Sequence, residues 1–327
     1  MSALFRLLAC LVALLASADF TSAQNPVSFE EIYGTGLEFD EAAYRAVPYK
    51  APVTAETYAN LPPAASLEKY TPTPGDQGPF GTCTAFATAY HMRTMLYGIE
   101  KDITNRASLD RQTFSASFVY EQIKAPAATD CKSGTSMVQA LELLRTSGVP
   151  PTSYVPYRCG ATFDTTAVLK ATEFPILDYQ ILFSSNVDEA DPIKTLAVKK
   201  SLSEGSPVVI GFVVHQSFYE AGVLWRQLES DAGATGQHGK HAMVVVGYDD
   251  QKFGGAFRIM NSWSERWGDK GFVWVPYADF NRNCFMAMQA YGKRPARPVY
   301  TPRPGDPTPA LQPLLAGTIT FQKRDGT

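Results

Sequence analysis

The chain has 327 residues, a formal net charge of −3 at pH 7 and 45% apolar residues. Together with the 12% of aromatic residues, this composition predicts a packed globular protein and excludes a disordered chain. Because the charge balance is slightly acidic and no run of Lys or Arg interrupts it, nucleic acid and anionic membrane surfaces are excluded as main partners.

Residues 1–23 have the organisation of a signal peptide. Arg6 supplies a short positive region, an apolar run follows it, and the small residues up to Ala23 fit a signal-peptidase cut. A lipoprotein signal around Cys10 is the alternative, although the apolar run continues past that residue. We therefore expect a secreted or periplasmic protein. The apolar run is too short for a membrane span, and no other stretch is long and apolar enough for one.

Removal of the signal peptide leaves four cysteines, namely Cys83, Cys131, Cys159 and Cys284. Export places them in an oxidising environment, where disulfides form when the geometry allows. A thiol that stays free in such a protein needs a chemical reason.

Changes in composition divide the remaining chain into three parts. Prolines interrupt residues 24–60, so we expect a short propeptide or an N-terminal arm there and not a long helix. Residues 61–293 carry the periodic patterns of a folded domain. Residues 294–327 form a Pro-rich C-terminal tail with a last strand pattern at Gly317–Gln322, which we expect to lie outside that domain.

The domain changes from helical to strand-like along its length. Apolar residues recur at helical spacing after Cys83 and in three later segments, Phe114–Lys124, Thr135–Thr146 and Asp191–Leu202. Short apolar runs between turn residues predict five strands, at Val208–Val214, His241–Tyr248, Ala256–Asn261, Gly271–Tyr277 and Phe285–Tyr291. This order indicates an α+β fold with a cleft between two lobes.

Cys83 stands where a turn-rich loop becomes a helix. The unpaired N–H groups and the positive dipole at a helix start lower the pKa of a thiol, and the thiolate is the nucleophile. Gln77, six residues earlier, can aim its amide at a substrate carbonyl oxygen and form an oxyanion hole with the Cys83 N–H. The alternative for Cys83 is a buried structural thiol.

Two further clusters carry residues suited to acid–base chemistry. His241 begins a very apolar strand, where an imidazole is rigidly held and partly desolvated, as a general base should be. The Asn261 amide can accept the far imidazole N–H, and Trp263 can shield that bond from water. The alternatives are a structural histidine and a surface loop with packed indoles. The other histidines fit direct catalysis less well: His91, His215 and His238.

In their chain order, Gln77, Cys83, His241 and Asn261 resemble the papain family of cysteine peptidases, over residues 61–293. The resemblance implies a helical lobe and a β-rich lobe with the active-site cleft between them. It implies an endopeptidase acting on peptide or protein substrates through a Cys83 thioester, with His241 as acid and base. We expect a monomer that needs no cofactor and no metal, since no zinc-ligand spacing is present.

Other residues gain roles from this resemblance. Gly134 matches a position that bonds the substrate backbone, and Trp263 matches a residue beside the substrate. Cys131 matches a cysteine whose usual partner is replaced here by Phe80, so the nearest alternative partner, Cys159, is expected to form the disulfide. Cys284 is then expected to be a free buried thiol.

The chain also departs from the family pattern. Thr84 replaces the usual tryptophan after the nucleophile, which leaves the subsite preference open. Lys240 stands beside His241, where its ammonium group should disfavour a protonated imidazole unless solvent screens it. Two other functions remain open: a peptide-binding protein that has the fold without turnover, and a Cys-dependent acyltransferase.

Overall fold

The computed structural model of the protein describes residues 32–50, 60–233 and 239–293. The predicted signal peptide, the C-terminal tail with its strand at Gly317–Gln322, and His238 lie outside the described residues. Within the described ranges, no helix is long and apolar enough to cross a membrane. The same ranges contain no group of three or more His, Cys, Asp or Glu residues that could hold a metal ion.

Helices make up most of the first lobe. Its main helix begins at Cys83 and continues through three stretches, Cys83–Ala85, then Phe86–Arg93 with wider π-type turns, then Thr94–Lys101. Four shorter helices follow in the chain, at Arg106–Asp110, Ala116–Ile123, Met137–Thr146 and Thr165–Ala171. Each of these begins where a side-chain oxygen accepts a backbone N–H of the first turn, from Asn105, Ser115, Ser136 and Asp164 respectively.

The second lobe contains a seven-stranded antiparallel sheet. Its strands are β2 (Ala64–Ser66), β4 (Asp178–Ile181), β5 (Val208–Val214), β6 (Gly239–Asp249), β7 (Ala256–Met260), β8 (Phe272–Pro276) and β9 (Cys284–Tyr291). They lie in the order β4-β9-β5-β6-β7-β8, with β2 also paired to β6. The helices Ile193–Ser203 and Tyr277–Asn283 pack against this sheet, and a short helix, Gln216–Tyr219, follows β5.

The predicted α+β arrangement of a helical lobe and a β-rich lobe is present, and the element boundaries differ in places. Thr135–Ser136 was predicted as helix but forms strand β3, because it pairs in parallel with β1 (Leu37–Glu38) near the chain start. The sequence patterns missed β4, a short edge strand, and the helix Tyr277–Asn283, whose apolar start continues the pattern of β8.

Residues 39–50 pack against the β-rich lobe, and we call them the arm. The arm contains a helix, Glu41–Ala46, whose first turn is capped by the Asp40 carboxylate at 2.9 Å from the Ala43 nitrogen. Tyr44 of this helix has no exposed area. At the end of the arm, the Ile181 N–H donates to Pro48 O at 3.0 Å, which places the arm beside the edge strand β4.

Cys131 and Cys159 form a disulfide, which is the pairing expected from the sequence. It joins the loop before β3 to the segment after the Tyr157 region, in the helical lobe. Cys83 and Cys284 are both free and buried.

Replacing Cys159 with Ser should lower the free energy of unfolding by about 2–4 kcal/mol, because the unfolded chain regains the entropy of a loop spanning 28 residues. Denaturant unfolding of the variant and the wild type measures this difference. Reductant should bring the wild type to the level of the variant and leave the variant unchanged. A variant as stable as the oxidised wild type would contradict the prediction.

Candidate active site

Cys83 lies at the first position of the main helix and has no exposed area. Burial raises the pKa of its thiol to about 11, and hydrogen bonds from the backbone of Ala242 and Gly36 act in the opposite direction. The expectation of a lowered pKa is therefore wrong for this state of the protein. Desolvation of the thiolate outweighs these hydrogen bonds.

His241 lies on β6 and is held by the Asn261 side chain. Its Nε2 is 2.7 Å from the Asn261 amide oxygen, which also accepts the Ser262 N–H at 2.7 Å. Because an amide oxygen only accepts, Nε2 carries the proton. The Trp263 ring stacks on the imidazole with centroids 4.8 Å apart, so water is kept from this bond.

The other imidazole nitrogen, His241 Nδ1, has no hydrogen-bond partner within the described part of the chain. Burial lowers the pKa of His241 to about 4, while the hydrogen bond to Asn261 raises it. The imidazole is therefore neutral near pH 7, as is the Cys83 thiol. In this state the two groups do not form the thiolate–imidazolium pair.

Gln77 is buried and joined to the β-rich lobe. Its amide oxygen accepts the Ser262 hydroxyl at 2.5 Å, and its backbone N–H donates to Ser262 O at 2.9 Å. With the oxygen engaged, the NH₂ group is aimed into the cleft. It donates to Gly34 O at 3.0 Å and to Phe80 O at 2.7 Å.

Residues 33–38, which we call the cleft segment, run across Gln77, Cys83 and Trp263. Gly34 O accepts both the Gln77 amide and the Trp263 indole N–H, the latter at 3.1 Å. Tyr33 stacks on the Trp263 ring with centroids 5.0 Å apart. The sequence predicted a short propeptide or an N-terminal arm over residues 24–60. It did not predict that part of this region would cover these three side chains.

The cleft segment fits because it carries no side chain at two positions. A Cβ on Gly34 would stand 2.2 Å from Phe80 O, and one on Gly36 would stand 2.4 Å from Gly81 Cα. No side chain can be placed that close to backbone atoms. The alternation Gly34-Thr35-Gly36 is the sequence signal that could have indicated a segment threaded through a narrow cleft.

The residues before Thr135 border the other end of the cleft segment. The Thr135 N–H donates to Gly36 O at 2.9 Å, and a Cβ on Gly134 would meet that same oxygen at 2.6 Å. Gly134, predicted to bond a substrate backbone, thus flanks a peptide backbone here, although the hydrogen bond comes from its neighbour.

Leu37 fills a pocket of the β-rich lobe. It is 5% exposed, and its Cδ2 lies 2.7 Å from the place that a Cβ on Gly211 would take. Met286 Cγ and Phe285 Cζ lie at 2.5 and 2.8 Å from the same point. We call this the Leu37 pocket; the absent side chain of Gly211 gives it its depth.

Lys240 points to aromatic rings at the edge of this pocket. Its Nζ is 6.0 Å from the Phe39 ring centre and 5.9 Å from that of Phe285. The pKa of the imidazole is lowered by burial and raised by the Asn261 hydrogen bond, and the influence of Lys240 on it stays a prediction.

Two of the remaining histidines are buried and hydrogen-bonded to other groups. His91 Nε2 accepts the Gly75 N–H at 3.2 Å, and burial lowers its pKa to about 3. His215 lies 2.7 Å from the Asn283 side-chain oxygen. Their hydrogen bonds suit structural roles.

Comparison with known proteins places this geometry in a family. Residues 67–293 match the family model described as Papain family cysteine protease. An uncharacterized peptidase C1-like protein of Acanthamoeba polyphaga mimivirus is 26% identical over 211 residues, 62% of this chain and 63% of that protein. Cathepsin B-like cysteine proteinase 3 of Ostertagia ostertagi is 32% identical over 83 residues, 25% of this chain and 44% of that protein. The chain spans less than two thirds of the length of these relatives.

Solved structures share the fold. Xylellain, a cysteine protease from Xylella fastidiosa, gives a TM-score of 0.61 at 24% identity, covering 81% of this chain and 97% of xylellain. Procathepsin B S9 from Trypanosoma congolense gives a TM-score of 0.58 at 19% identity, covering 81% of this chain and 88% of that chain. These likenesses confirm the predicted two-lobed α+β fold.

Cys83 should resist alkylation at pH 7 in the folded protein, because a pKa of about 11 instead of 9.0 leaves about a hundredfold less thiolate. The rate should rise with pH toward the raised pKa. Iodoacetamide labelling as a function of pH, followed by peptide mapping, measures Cys83 separately from Cys284.

The urea-unfolded chain provides the control, in which both thiols should react as ordinary cysteines. Rapid labelling of Cys83 in the folded chain at pH 7 would show that the cleft segment does not cover the thiol in solution.

Proposed function

The chain belongs to the papain family of cysteine proteases, and we propose that it is an endopeptidase in which Cys83 is the nucleophile. The observation that carries the proposal is a main-chain carbonyl that accepts two side-chain hydrogen bonds. Gly34 O is held by the Gln77 amide and the Trp263 indole N–H, above a helix that begins with a cysteine. A site that binds a main-chain carbonyl through two N–H donors, at the start of a helix whose first residue is a cysteine, is suited to acyl transfer.

The reaction begins when a substrate peptide takes the place of the cleft segment. Solvent and substrate then allow the proton of Cys83 to pass to His241 Nδ1, which is free of other partners among the described residues. The thiolate attacks the carbonyl carbon, and the Gln77 amide together with the Cys83 N–H stabilises the oxyanion.

Collapse of the tetrahedral intermediate breaks the C–N bond. His241 gives its proton to the leaving amine, and a thioester on Cys83 remains. His241 then takes a proton from water, whose oxygen attacks the thioester and releases the acid product. Asn261 keeps the imidazole in the required tautomer throughout, through the 2.7 Å bond to Nε2.

We further propose that the cleft segment is an inhibitor of this reaction. Of the cleft segment, the Gly36 amide bonds to the thiol, whereas the carbonyl that accepts the Gln77 amide belongs to Gly34, two residues earlier. The Gln77 amide thus binds the carbonyl of Gly34 and not that of Thr35, whose carbon is bonded to the amide nitrogen beside the sulfur. Residues 24–60 would then act as a short propeptide of a monomeric, exported enzyme whose substrates are peptides or proteins.

Cys83→Ala should reduce hydrolysis of a denatured protein by several orders of magnitude, because the other residues cannot supply a nucleophile. Cys284→Ala is the matched control, since it removes the other free buried thiol and should retain activity. Thermal unfolding checks that both variants fold. Activity of Cys83→Ala within tenfold of the wild type would overturn the proposal.

Gly36→Ala should raise the activity of the full chain at neutral pH. The added methyl group would stand 2.4 Å from Gly81 Cα, so the cleft segment can no longer dock. Initial rates of peptide hydrolysis, measured at once after purification, give the comparison.

Gly222→Ala is the control for this variant, since nothing lies within 4 Å of its added Cβ. It should behave as the wild type. Equal rates for Gly36→Ala and the wild type would show that the cleft segment does not inhibit.

A further inference from the structure

The arm and the cleft segment are bound in different ways. The Tyr44 side chain of the arm is fully buried, and its hydroxyl donates to Phe183 O at 2.7 Å and accepts the Ala287 N–H at 3.2 Å. These partners all lie in the β-rich lobe. Removal of the arm would open a cavity in that lobe and leave two backbone groups without a partner.

The far end of the arm is fixed to the same lobe by a charge. Lys50 Nζ bonds to Glu204 at 2.5 Å and to Gln289 Oε1 at 2.8 Å, while the Lys50 N–H donates to Ile181 O at 2.9 Å. None of these contacts lies in the cleft. Departure of the arm would also leave Gln289, which is 2% exposed, with one fewer donor.

The cleft segment, in contrast, is held from both lobes at positions that a substrate must use. Its bonds run from Gly34 to Gln77, Gly78 and Trp263, and from Gly36 to Thr135. All of these bonds must break before a substrate can bind, whereas no contact of the arm has to break.

Phe39 is the residue where the two parts meet. Its ring packs edge-on against Phe285 with centroids 5.2 Å apart and lies 5.7 Å from the Tyr44 ring. Lys240 Nζ lies about equally far from the Phe39 and Phe285 rings. Phe285 in turn forms one side of the Leu37 pocket. The arm therefore supports the pocket wall from outside.

We propose that the arm stays bound when the cleft segment leaves, and that Phe39 then positions Phe285 as the wall of the vacated Leu37 pocket. The pocket, left open by Gly211, takes a leucine-sized apolar side chain of the substrate. Phe39 is thus a positioning residue for specificity, supplied by the segment that precedes the catalytic domain. This inference rests on the proposed peptidase function, because the pocket needs a substrate chain to receive.

Retention of the arm follows from its covalent and packing connections. Cleavage of the chain before residue 33 leaves the cleft segment attached to the arm and in place. Hydrolysis of a peptide bond between Gly34 and Phe39, with water as the co-reactant, frees the cleft and keeps the arm. Cleavage after Lys50 would free the cleft only if the buried Tyr44 side chain also left its site.

The first experiment identifies the species with an open cleft. The full chain is incubated under activating conditions and labelled with a thiol-directed epoxide, which marks Cys83 only where the cleft is open. Native mass spectrometry of the labelled species should show that residues 39–50 are present, either covalently or as a bound fragment. A labelled species that lacks residues 39–50 would overturn the proposal. Absence of any Cys83 labelling would instead count against the proposed function.

The second experiment measures specificity. Phe39→Ala should raise KM about fivefold for a peptide with leucine at the pocket position, with kcat within twofold of the wild type, because a wall that moves weakens substrate binding and not the chemistry. The pocket position is identified with a peptide that carries leucines on the amino side of the cleaved bond. Each leucine is replaced by alanine in turn. For the alanine peptide the variant and the wild type should agree within twofold.

Phe253→Ala is the matched control, since it removes another partly exposed phenylalanine that packs edge-on against an aromatic ring, Trp274, away from the cleft residues. It should leave both constants unchanged. Phe39→Leu, which preserves an apolar contact, should give an intermediate KM and provides the comparison if Phe39→Ala does not fold.

A KM for the leucine peptide that is unchanged in both Phe39 variants, with Cys83-dependent activity intact, would refute the role of Phe39 and leave the peptidase function standing. A parallel loss of kcat for both peptides would indicate a general structural defect and would also refute it.

Discussion

The paired hydrogen bonds between Gln77 and Ser262 fix the geometry of the cleft. One joins the side chains at 2.5 Å and the other joins the Gln77 N–H to Ser262 O at 2.9 Å, across a sequence separation of 185. They place a loop of the helical lobe beside the loop that carries Asn261 and Trp263. Because the Gln77 oxygen is occupied, its NH₂ must point into the cleft. The orientation of the proposed oxyanion donor thus depends on a contact that also joins the two lobes.

Burial decides the ionisation of Cys83 and His241 in this state of the protein. A thiolate and an imidazolium ion each lose hydration beneath the cleft segment, so Cys83 has a raised pKa and His241 a lowered one. The hydrogen bonds that Cys83 receives favour the thiolate by less than its desolvation disfavours it. Departure of the cleft segment would restore water to both groups at once, and their mutual attraction would then support the ion pair. In the proposed reaction, covering the cleft would therefore suppress the thiolate–imidazolium pair as well as block substrate access.

The cleft segment and the arm, which both precede the domain, are bound by different kinds of contact. The cleft segment relies on backbone hydrogen bonds, on the missing side chains of Gly34 and Gly36, and on two side chains that pack in the cleft, Tyr33 and Leu37. The arm relies on a buried tyrosine and a lysine paired with Glu204. A segment that must leave is best held by bonds that a substrate can replace, and one that stays is best held by burial in a core.

The sequence alone determined the chemistry that the chain can offer and its α+β class. Cys83 before a helical pattern, His241 at the start of an apolar strand and Asn261 before a tryptophan are local signals, and local periodicity reports secondary structure directly. The sequence could not show that Gly34 lies on Gln77 and Trp263, at sequence separations of 43 and 229. Nor could it show that Thr135–Ser136 is a strand, since its partner lies at Leu37–Glu38. The covered thiol and its raised pKa follow from these distant contacts. Only the tertiary structure decided them, because burial is a property of the packed chain and not of any short stretch of sequence.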